Sequence, residues 1–513
     1  MPSPDLTWIF FREYHRTFVT PFEFAGQPLE ASAADGLGFA QRVDPEDGDF
    51  TEWSADGRGL EWVRGRWFCQ KSLAEILAGV DGARRTDLSL EYATEEPESS
   101  LAFRDVRVLT MNGELEVLEG ATVLVEGNRI AAVGADVEVP DEALLFDGGG
   151  FTLMPGMFDA HGHYGSPISA LNVIEERPYG LAANLAYGVT TMFDVYGTTQ
   201  KDFWLSDRLQ KGDVDGPRLF SVGDPIFVTK YRTKMHRPIH SLDDALEHAA
   251  FNRDHGALCL KDYSNHTRAA RQQLVAACRE LGLNVVSESF ADFTMNFTQL
   301  VDGFTGLEHT PGVTPLYDDV LRLFTATELG MTPTLVVVYN GPAGDRYFHQ
   351  TERLWEDEKL LNFFRRDELL RLRRPTHYWD DDWYHPEMAA ELHRLHEAGV
   401  LLQMGAHGQM MGLGAHWEME LFVHGGFTPL EAIQIATING FRHHGLEGEL
   451  GSIEAGKLAD FVVLGADPRG DVRNTRAIEY VVKNGVLYAG ADGSRIHPDS
   501  RPAEPMYFQA RGD

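Results

Sequence analysis

The pattern of hydrophobic and polar positions changes twice along the 513-residue chain. Before Leu153, short alternating runs are separated by polar turns such as Asp56-Gly57, a pattern typical of antiparallel strands and hairpins. From Leu153 onward, short apolar runs alternate with longer helical stretches, which indicates strands of a parallel sheet joined by helices. After about residue 445, short strands with polar turns return. The pattern therefore predicts a central α/β domain between two β-rich segments.

The central segment contains eight candidate strands. Eight strands that alternate with helices predict a (β/α)8 TIM barrel, with its largest insertion, around Glu356–Leu372, between strands seven and eight. The candidate strands are Leu153–His163, Val189–Tyr196, Arg218–Val228, Ala257–Tyr263, Asn284–Glu288, Gly303–His309, Met331–Tyr339 and Val400–His407.

The β-rich segments on either side of the barrel each have too few strands to bury a sheet face. We therefore expect them to form one composite β-sandwich. The predicted domains are an N-terminal β-rich extension at 1–95, the composite sandwich at 96–152 and 446–495, the barrel at 153–445 and a C-terminal tail at 496–513.

Acidic residues outnumber basic ones, with 78 Asp and Glu against 45 Lys and Arg and a formal net charge of −33. A surface of that sign repels phosphate groups, so we expect neither nucleic acid nor a membrane as a partner. The cysteines form no CxxC pair and the N-terminus has no apolar signal stretch, so we expect a reducing, cytoplasmic location. The expected partner is a small-molecule substrate, and the expected assembly is a homo-oligomer.

The most informative motif is His161-Gly-His163, at the end of the first barrel strand. Because successive side chains of a strand alternate between its faces, the two imidazoles project on the same side. Barrel enzymes place their active sites at the C-terminal ends of the strands. Two aligned imidazoles there can hold a divalent metal ion.

Together with the preceding Met154-Pro-Gly156 turn and the later Gly451–Leu464 and Val482–Tyr488 runs, this motif resembles the metal-dependent amidohydrolase superfamily over residues 100–490. The resemblance is strongest to amidohydrolases that follow a TolB-like β-propeller, and Trp53–Gly57 resembles part of a propeller blade. The motifs that carry it are Leu260–Tyr263, Gly306–His309, Thr332–Leu335, Gly405–Gln409 and Ala415–Glu418. The resemblance implies a metal-dependent hydrolase that cleaves the C–N bond of an amide, cyclic amide or lactam.

The resemblance also implies a role for Lys261, at the end of strand four. A lysine enclosed there would favour the neutral amine, which can add CO₂ to form a carbamate that bridges two metal ions. An ion pair of Lys261 with Asp262 or Glu288 is the alternative. The implied cofactors are one or two divalent ions, Zn²⁺ first and Mn²⁺ or Fe²⁺ as alternatives, and the carbamate on Lys261.

The remaining implied ligands are Glu288, His309 and His407. Glu288 ends strand five, where the superfamily more commonly has His, and a structural carboxylate is the alternative reading. His309 lies in the position of a ligand to the second metal ion, and Glu308 points the other way as a supporting residue. Many members of the superfamily have Asp where His407 stands, so His407 is either a metal ligand or a general base.

Further candidates lie at or just after strand ends, and packing is an alternative for each: Tyr164, Asp194, Asp224, Tyr263, Tyr339, His416 and Glu418. Tyr263 and Tyr339 could donate hydrogen bonds to a developing oxyanion. Tyr164 could line the substrate pocket. His416 could bind substrate or, with Glu418, support His407, and a cap at the start of the following helix is the alternative for this pair.

Two other functions fit the same residues. The metal site could serve ester, lactone or C–C bond hydrolysis, decarboxylation or isomerisation. A non-catalytic binding protein on a degenerate barrel is the third possibility, because the common strand-five His and strand-eight Asp are replaced.

Overall fold

The computed structural model describes residues 1–513 except 14, 23–25, 27–30, 34–38, 149, 166–177, 228–236, 264, 266, 291, 374–376, 504, 507 and 510–513. Val228, the predicted end of strand three, lies outside the described residues. Among the helices that are described, none has the length and apolarity needed to cross a membrane.

The strands are β1 (Trp8–Glu13), β2 (Arg16–Pro21), β3 (Gln41–Arg42), β4 (Asp49–Trp53), β5 (Gly59–Arg64), β6 (Trp67–Ser72), β7 (Arg84–Asp87), β8 (Ser100–Leu109), β9 (Val117–Glu126), β10 (Arg129–Gly134), β11 (Leu144–Asp147), β12 (Thr152–Pro155), β13 (Met157–Asp159), β14 (Val189–Asp194), β15 (Arg218–Ser221), β16 (Cys259–Asp262), β17 (Asn284–Glu288), β18 (Gly306–Glu308), β19 (Gly330–Thr332), β20 (Phe461–Leu464), β21 (Ile478–Lys483), β22 (Val486–Ala489) and β23 (Arg495–His497).

The α-helices are α1 (Leu73–Leu77), α2 (Tyr179–Ala186), α3 (Thr199–Lys211), α4 (Leu242–His255), α5 (Arg268–Leu281), α6 (Phe293–Asp302), α7 (Asp318–Thr327), α8 (Asp345–Thr351), α9 (Arg366–Leu372), α10 (His385–Glu397), α11 (Leu413–His424), α12 (Pro429–Ala436) and α13 (Ile438–His443). Several begin where a side chain accepts a backbone N–H, as Ser241 does for α4 and Thr428 for α12.

The chain divides into two compact units. The first unit comprises residues 1–92, 196–203 and 221–288, and the second comprises 93–195, 204–220 and 289–513. Residues of the predicted barrel segment thus contribute to both units, and the predicted domain boundaries stay a prediction.

The first unit contains two antiparallel sheets, β1-β2-β3 and β4-β5-β6-β7, and the parallel pair β16–β17. The β4–β5 hairpin turns at the Asp56-Gly57 pair, as its alternating pattern predicts. A hydrophobic core of the first unit includes the buried residues Leu60 and Trp62 of β5 and Val19 of β2. Helix α4 begins at the Ser241 cap and ends at Gly256, whose φ of +113° suits glycine.

The second unit contains one nine-stranded sheet with the path β10-β9-β8-β12-β20-β21-β22-β23, and β11 pairs with β8. Its central strand β12 runs parallel to β8 and antiparallel to β20. Strands from before and after the predicted barrel therefore share one sheet. Its apolar face buries residues from both segments, including Phe103, Val123, Phe461 and Leu487.

The second unit also contains the parallel pairs β13–β14 and β18–β19. Beyond β13, the N–H of Ala160 donates to the carbonyl of Met404 at 2.9 Å. Met331 of β19 forms a parallel bridge with Leu402. These contacts bring the ends of predicted strands one, seven and eight together.

Three predicted barrel strands are shorter in the structure or are divided. Leu153–His163 divides at Gly156 into β12 and β13, where a Cβ would lie 2.1 Å from Oγ1 of Thr190. Met331–Tyr339 gives way after Thr332 to a 3₁₀ turn at Leu335–Val337. Val400–His407 forms only the bridge at Leu402, because the backbone N–H of Ala406 donates to the Asp159 carboxylate and not to a neighbouring strand.

His443 and His444, which follow the last predicted barrel helix, pack within the second unit. The His444 ring stacks on Phe193 at 4.6 Å and tilts against Phe158 at 5.4 Å. The His443 ring occupies the space beside Gly330. Burial lowers the pKa of His443 to about 4. Helix α13 therefore ends against the strands.

Candidate metal centre

Four histidines of the second unit come together at strand ends. The ring centroid of His161 lies 4.7 Å from that of His309, 5.0 Å from that of His407 and 5.2 Å from that of His163. One potential ligand atom from each of His161, His309 and His407 lies within 4.8 Å of the other two. Four of the predicted ligands, from three segments that lie far apart in the sequence, therefore form one cluster.

Carboxylates hold the first two rings through Nδ1. Nδ1 of His161 lies 2.6 Å from Oε2 of Glu308, and Nδ1 of His163 lies 2.9 Å from Oδ1 of Asp194. A carboxylate accepts the ring hydrogen at Nδ1, which makes Nε2 the nitrogen that can coordinate a metal ion. Sequence reasoning gave Glu308 a supporting place, but it gave Asp194 none beyond the end of strand two.

The other two rings are also contacted at Nδ1. Nδ1 of His309 lies 2.5 Å from the Thr334 hydroxyl, and Nδ1 of His407 lies 3.2 Å from Oε1 of Gln409. His161 and His309 are buried, whereas His163 and His407 are half-buried. All four rings thus have the orienting partner that metal-ligating histidines usually have.

Asp159 links two of the strand ends that carry these histidines. Its Oδ1 accepts the backbone N–H of His161 at 3.2 Å and that of Ala406 at 2.9 Å. Burial raises the pKa of Asp159 to about 6. The sequence gives no local signal for this contact, because Ala406 lies 247 residues from Asp159.

The backbone at two of the candidate ligands is in an uncommon conformation. His309 has φ of +69° and His407 has φ of +62°, in the left-handed region that residues with a Cβ seldom adopt. Gly408, at φ +85°, packs so closely that a Cβ would lie 2.1 Å from the carbonyl oxygen of His163. Such strain concentrates at functional sites, where the surrounding structure maintains it.

Glu418 of α11 holds the segment that contacts His309. Its two carboxylate oxygens accept the N–H groups of Leu335 and Val336 at 2.7 and 2.9 Å. Thr334, which precedes these amides, is the residue whose hydroxyl contacts His309. Complete burial raises the pKa of Glu418 to about 8. Glu418 therefore supports His309, not His407 as the sequence suggested.

Tyr339 is the predicted substrate-binding residue that the structure places beside the cluster. Its ring centroid lies 5.3 Å from that of His309, and the side chain is half-buried. A phenol there can donate a hydrogen bond to a group bound near His309.

Lys261, Glu288 and Tyr263 lie in the first unit. Nζ of Lys261 lies 2.7 Å from Oε2 of Glu288, and both side chains are buried. The ion pair that the sequence left as an alternative for Lys261 is therefore present. Tyr263 packs against Tyr196, with ring centroids 5.1 Å apart. Burial, with a smaller contribution from the charge of Glu288, raises the pKa of Tyr263.

His416, predicted to bind substrate or support His407, does neither. Its Nδ1 lies 2.8 Å from the Thr475 hydroxyl, and its Nε2 lies 2.9 Å from the carbonyl oxygen of Tyr187. Complete burial lowers its pKa to about 3. The prediction failed because α11 turns this side chain into the core, where both ring nitrogens are bonded.

Tyr164, predicted to line the substrate pocket, is only 1% exposed. It belongs to an apolar cluster that includes Leu181, Met192 and Leu205. This packing favours the alternative reading of Tyr164 as a core residue. Asp224 is also buried, and it accepts hydrogen bonds from the backbone of Thr199 and the side chain of Arg237 in the first unit.

Comparison with known proteins finds a partial match to one family in sequence and a likeness to solved structures in fold. A profile of the amidohydrolase family matches residues 365–488. Ochratoxinase of Aspergillus niger is 23% identical over 422 residues, which cover 74% of this chain and 85% of ochratoxinase.

Many solved structures are similar to the chain, and three of them show the extent of the likeness. A Xaa-Pro dipeptidase with bound methionine has a TM-score of 0.59 at 19% identity, covering 76% of this chain and 100% of its own. Phenylurea hydrolase B has a TM-score of 0.59 at 20% identity, covering 80% and 99%. The A. niger ochratoxinase structure has a TM-score of 0.57 at 18% identity, also covering 80% and 99%. This likeness indicates a fold of mixed α/β content that contains a TIM barrel. The family profile and the ochratoxinase match show that the chain resembles the amidohydrolase family in sequence.

Proposed function

We propose that this protein is a metal-dependent hydrolase that cleaves the C–N bond of an amide, cyclic amide or lactam in a small molecule. The observation that carries the proposal is the cluster of His161, His163, His309 and His407, in which a neighbouring side chain contacts Nδ1 of every ring. Rings oriented in this way suit metal coordination better than they suit packing. The names of the similar proteins, ochratoxinase, Xaa-Pro dipeptidase and phenylurea hydrolase, support a hydrolase.

The donor set fits a divalent metal ion. Imidazole nitrogen suits Zn²⁺, with Mn²⁺ or Fe²⁺ as alternatives. His161, His309 and His407 would hold one ion, because their potential ligand atoms lie within 4.8 Å of one another. When bound, such an ion supplies an activated water molecule and polarises the scissile carbonyl.

The protein groups around the cluster have separate tasks in this proposal. Glu308 and Asp194 keep the ring hydrogens of His161 and His163 on Nδ1. Asp159 fixes the backbone of His161. Because Gln409 contacts Nδ1 of His407, we assign His407 as a ligand through Nε2 and not as the general base. Tyr339 would donate a hydrogen bond to the oxygen on which negative charge develops.

We also propose the roles that the sequence gave to Lys261, Glu288 and Tyr263. Lys261 would carry a CO₂-derived carbamate and Glu288 would act as a ligand, in place of their present ion pair. Tyr263 would donate a hydrogen bond to the substrate, since its raised pKa keeps the phenol protonated. Supplying ¹³C-bicarbonate and recording the carbamate carbon by NMR, with Lys261→Ala as the control, tests the modification.

Metal analysis combined with activity assays tests the main proposal. The protein is depleted with a chelator, reconstituted with Zn²⁺, Mn²⁺ or Fe²⁺, and assayed on matched amide and ester analogues. We expect activity to disappear on depletion, to return with one of the ions and to be greater on the amide. Full activity of the metal-free protein would exclude the proposal.

The presence of His407 where many superfamily members have Asp favours a second candidate, which uses the same site for ester, lactone or C–C bond hydrolysis, decarboxylation or isomerisation. Faster turnover of the ester analogue would support it. Bound metal without turnover of any analogue would favour a binding protein. A cytoplasmic homo-oligomer remains our expectation, and light scattering after size-exclusion chromatography tests the assembly.

A further inference from the structure

A second group of possible metal ligands lies in the first unit, among residues that the proposed reaction does not use. His15 lies in the turn between β1 and β2, and Glu247 and His248 lie on α4. One potential ligand atom from each of the three residues lies within 4.8 Å of the other two.

Both imidazoles of this group are buried with one ring nitrogen unsatisfied. His15 is 8% exposed and His248 is 0% exposed. Nε2 of His15 contacts Oε1 of Glu247 at 3.0 Å, and Nε2 of His248 contacts the carbonyl oxygen of Pro238 at 3.3 Å. Within the part of the chain that the structure describes, neither Nδ1 has a hydrogen-bond partner. Buried polar atoms usually have a hydrogen-bond partner. Two neighbouring ring nitrogens without one therefore indicate a bound group that contacts both of them.

The two rings of this group are in contact. Their centroids lie 4.5 Å apart in an edge-to-face arrangement. Together with the short distances between the potential ligand atoms, this contact places both rings within reach of one ion.

The surrounding charges select the type of ion. Arg42 contacts Oε1 of Glu247 at 2.8 Å, and Arg16 contacts Oε2 at 3.4 Å. These guanidinium groups neutralise the carboxylate, which disfavours Mg²⁺ and Ca²⁺ because those ions depend on anionic oxygen ligands. Ions that bind neutral imidazole strongly, namely Ni²⁺, Cu²⁺ and Zn²⁺, are favoured.

We propose that His15, Glu247 and His248 bind one Ni²⁺, Cu²⁺ or Zn²⁺ ion, which links the β1–β2 turn to α4 within the first unit. The site has a structural role, because its ligands come from segments 232 residues apart and binding would oppose their separation on unfolding. The proposal goes beyond the proposed hydrolase activity and does not depend on it.

Metal stoichiometry of single variants tests this proposal. The wild-type chain, His15→Ala, His248→Ala and the control His240→Ala, whose side chain is exposed, are loaded with Zn²⁺, desalted and measured by mass spectrometry of the metal. We expect the first two variants to hold one equivalent less than wild type and the control to hold as much as wild type. His161→Ala should lose metal from the other cluster while keeping the equivalent that depends on His15. Unchanged metal content in both His15→Ala and His248→Ala would overturn the proposal.

A second measurement decides the matter if these variants fail to fold, as judged by circular dichroism. His161→Ala/His309→Ala removes two ligands of the other cluster, and X-ray absorption of Zn²⁺ bound to that double variant then reports the remaining site. Two imidazole ligands and one oxygen ligand from the protein would support the proposal. No bound Zn²⁺, or fewer than two imidazoles, would overturn it.

Discussion

The two histidine groups differ in what holds their rings. Around His161 and His163, the carboxylates of Glu308 and Asp194 contact Nδ1. Around His15, the carboxylate of Glu247 is shared with two arginines. A carboxylate that is not neutralised raises the basicity of its imidazole partner, so the His161 group should bind metal more tightly. The difference teaches that the charge of the partner side chains, and not the number of histidines, would separate the proposed catalytic centre from the proposed structural site.

Replacement of a ligand in the tighter group should have the largest effect. In His161→Ala we expect activity to fall by more than the roughly 10–100-fold that follows loss of a ligand's hydrogen-bond partner. Steady-state kinetics with metal analysis measures the effect, and His240→Ala is the control. Equal losses in His161→Ala and His15→Ala would remove the distinction between the two groups.

Replacement of a carboxylate in each histidine group should have the next largest effect. Glu308→Gln keeps the size of the side chain but removes the charge that stabilises His161, so metal affinity should fall about 10–100-fold. Glu247→Gln leaves an oxygen that can still act as a ligand at the other site. It should change metal affinity there less, because Arg16 and Arg42 already neutralise the Glu247 carboxylate. Competition with a chromogenic chelator measures both affinities. A larger effect of Glu247→Gln would contradict the comparison.

Glu418→Gln tests indirect support of His309. The amide side chain has one oxygen to accept two backbone N–H groups, and an unsatisfied buried N–H costs about 1–3 kcal/mol. We expect a loss of that size in the free energy of unfolding, together with weaker metal binding, measured by denaturant titration and chelator competition. A loss of stability with unchanged metal affinity would show that Glu418 does not position His309.

The smallest effect on metal binding is expected for His416→Gln. Both ring nitrogens of His416 are bonded within the core, so metal affinity should be unchanged.

The same variant should alter the dependence of stability on pH. The pKa of His416 is lowered to about 3 in the folded chain, whereas an unfolded histidine titrates near 6.5. Between these values the unfolded state binds more protons, so stability is lost as the pH falls through this window. The slope for the variant should be smaller by up to about 1.4 kcal/mol per pH unit, measured by denaturant titration from pH 7 to 4. An equal slope in wild type and variant would contradict this assignment.

Several elements could be predicted because their signals are local. Polar turns marked the β4–β5 hairpin. The His161-Gly-His163 motif indicated a histidine pair, although both residues lie beyond β13 and strand alternation does not account for their contact. The predicted strand at Val400–His407 failed because the Asp159 carboxylate, and not a neighbouring strand, takes the amide of Ala406. The predicted role of His416 was wrong because the sequence around it does not show which way α11 faces.

The sequence by itself determined the family resemblance, the residue type at each candidate ligand position and much of the order of strands and helices, since these depend on residue type and short-range periodicity. Only the tertiary structure decided which side chain contacts each ring. Glu308 lies 147 residues from His161, and Asp194 lies 31 residues from His163. The same holds for the His15 group, whose members are ordinary in sequence and become a candidate metal site only where the β1–β2 turn packs on α4. Contacts over such separations depend on how the strands pack together, and local propensities do not encode that packing.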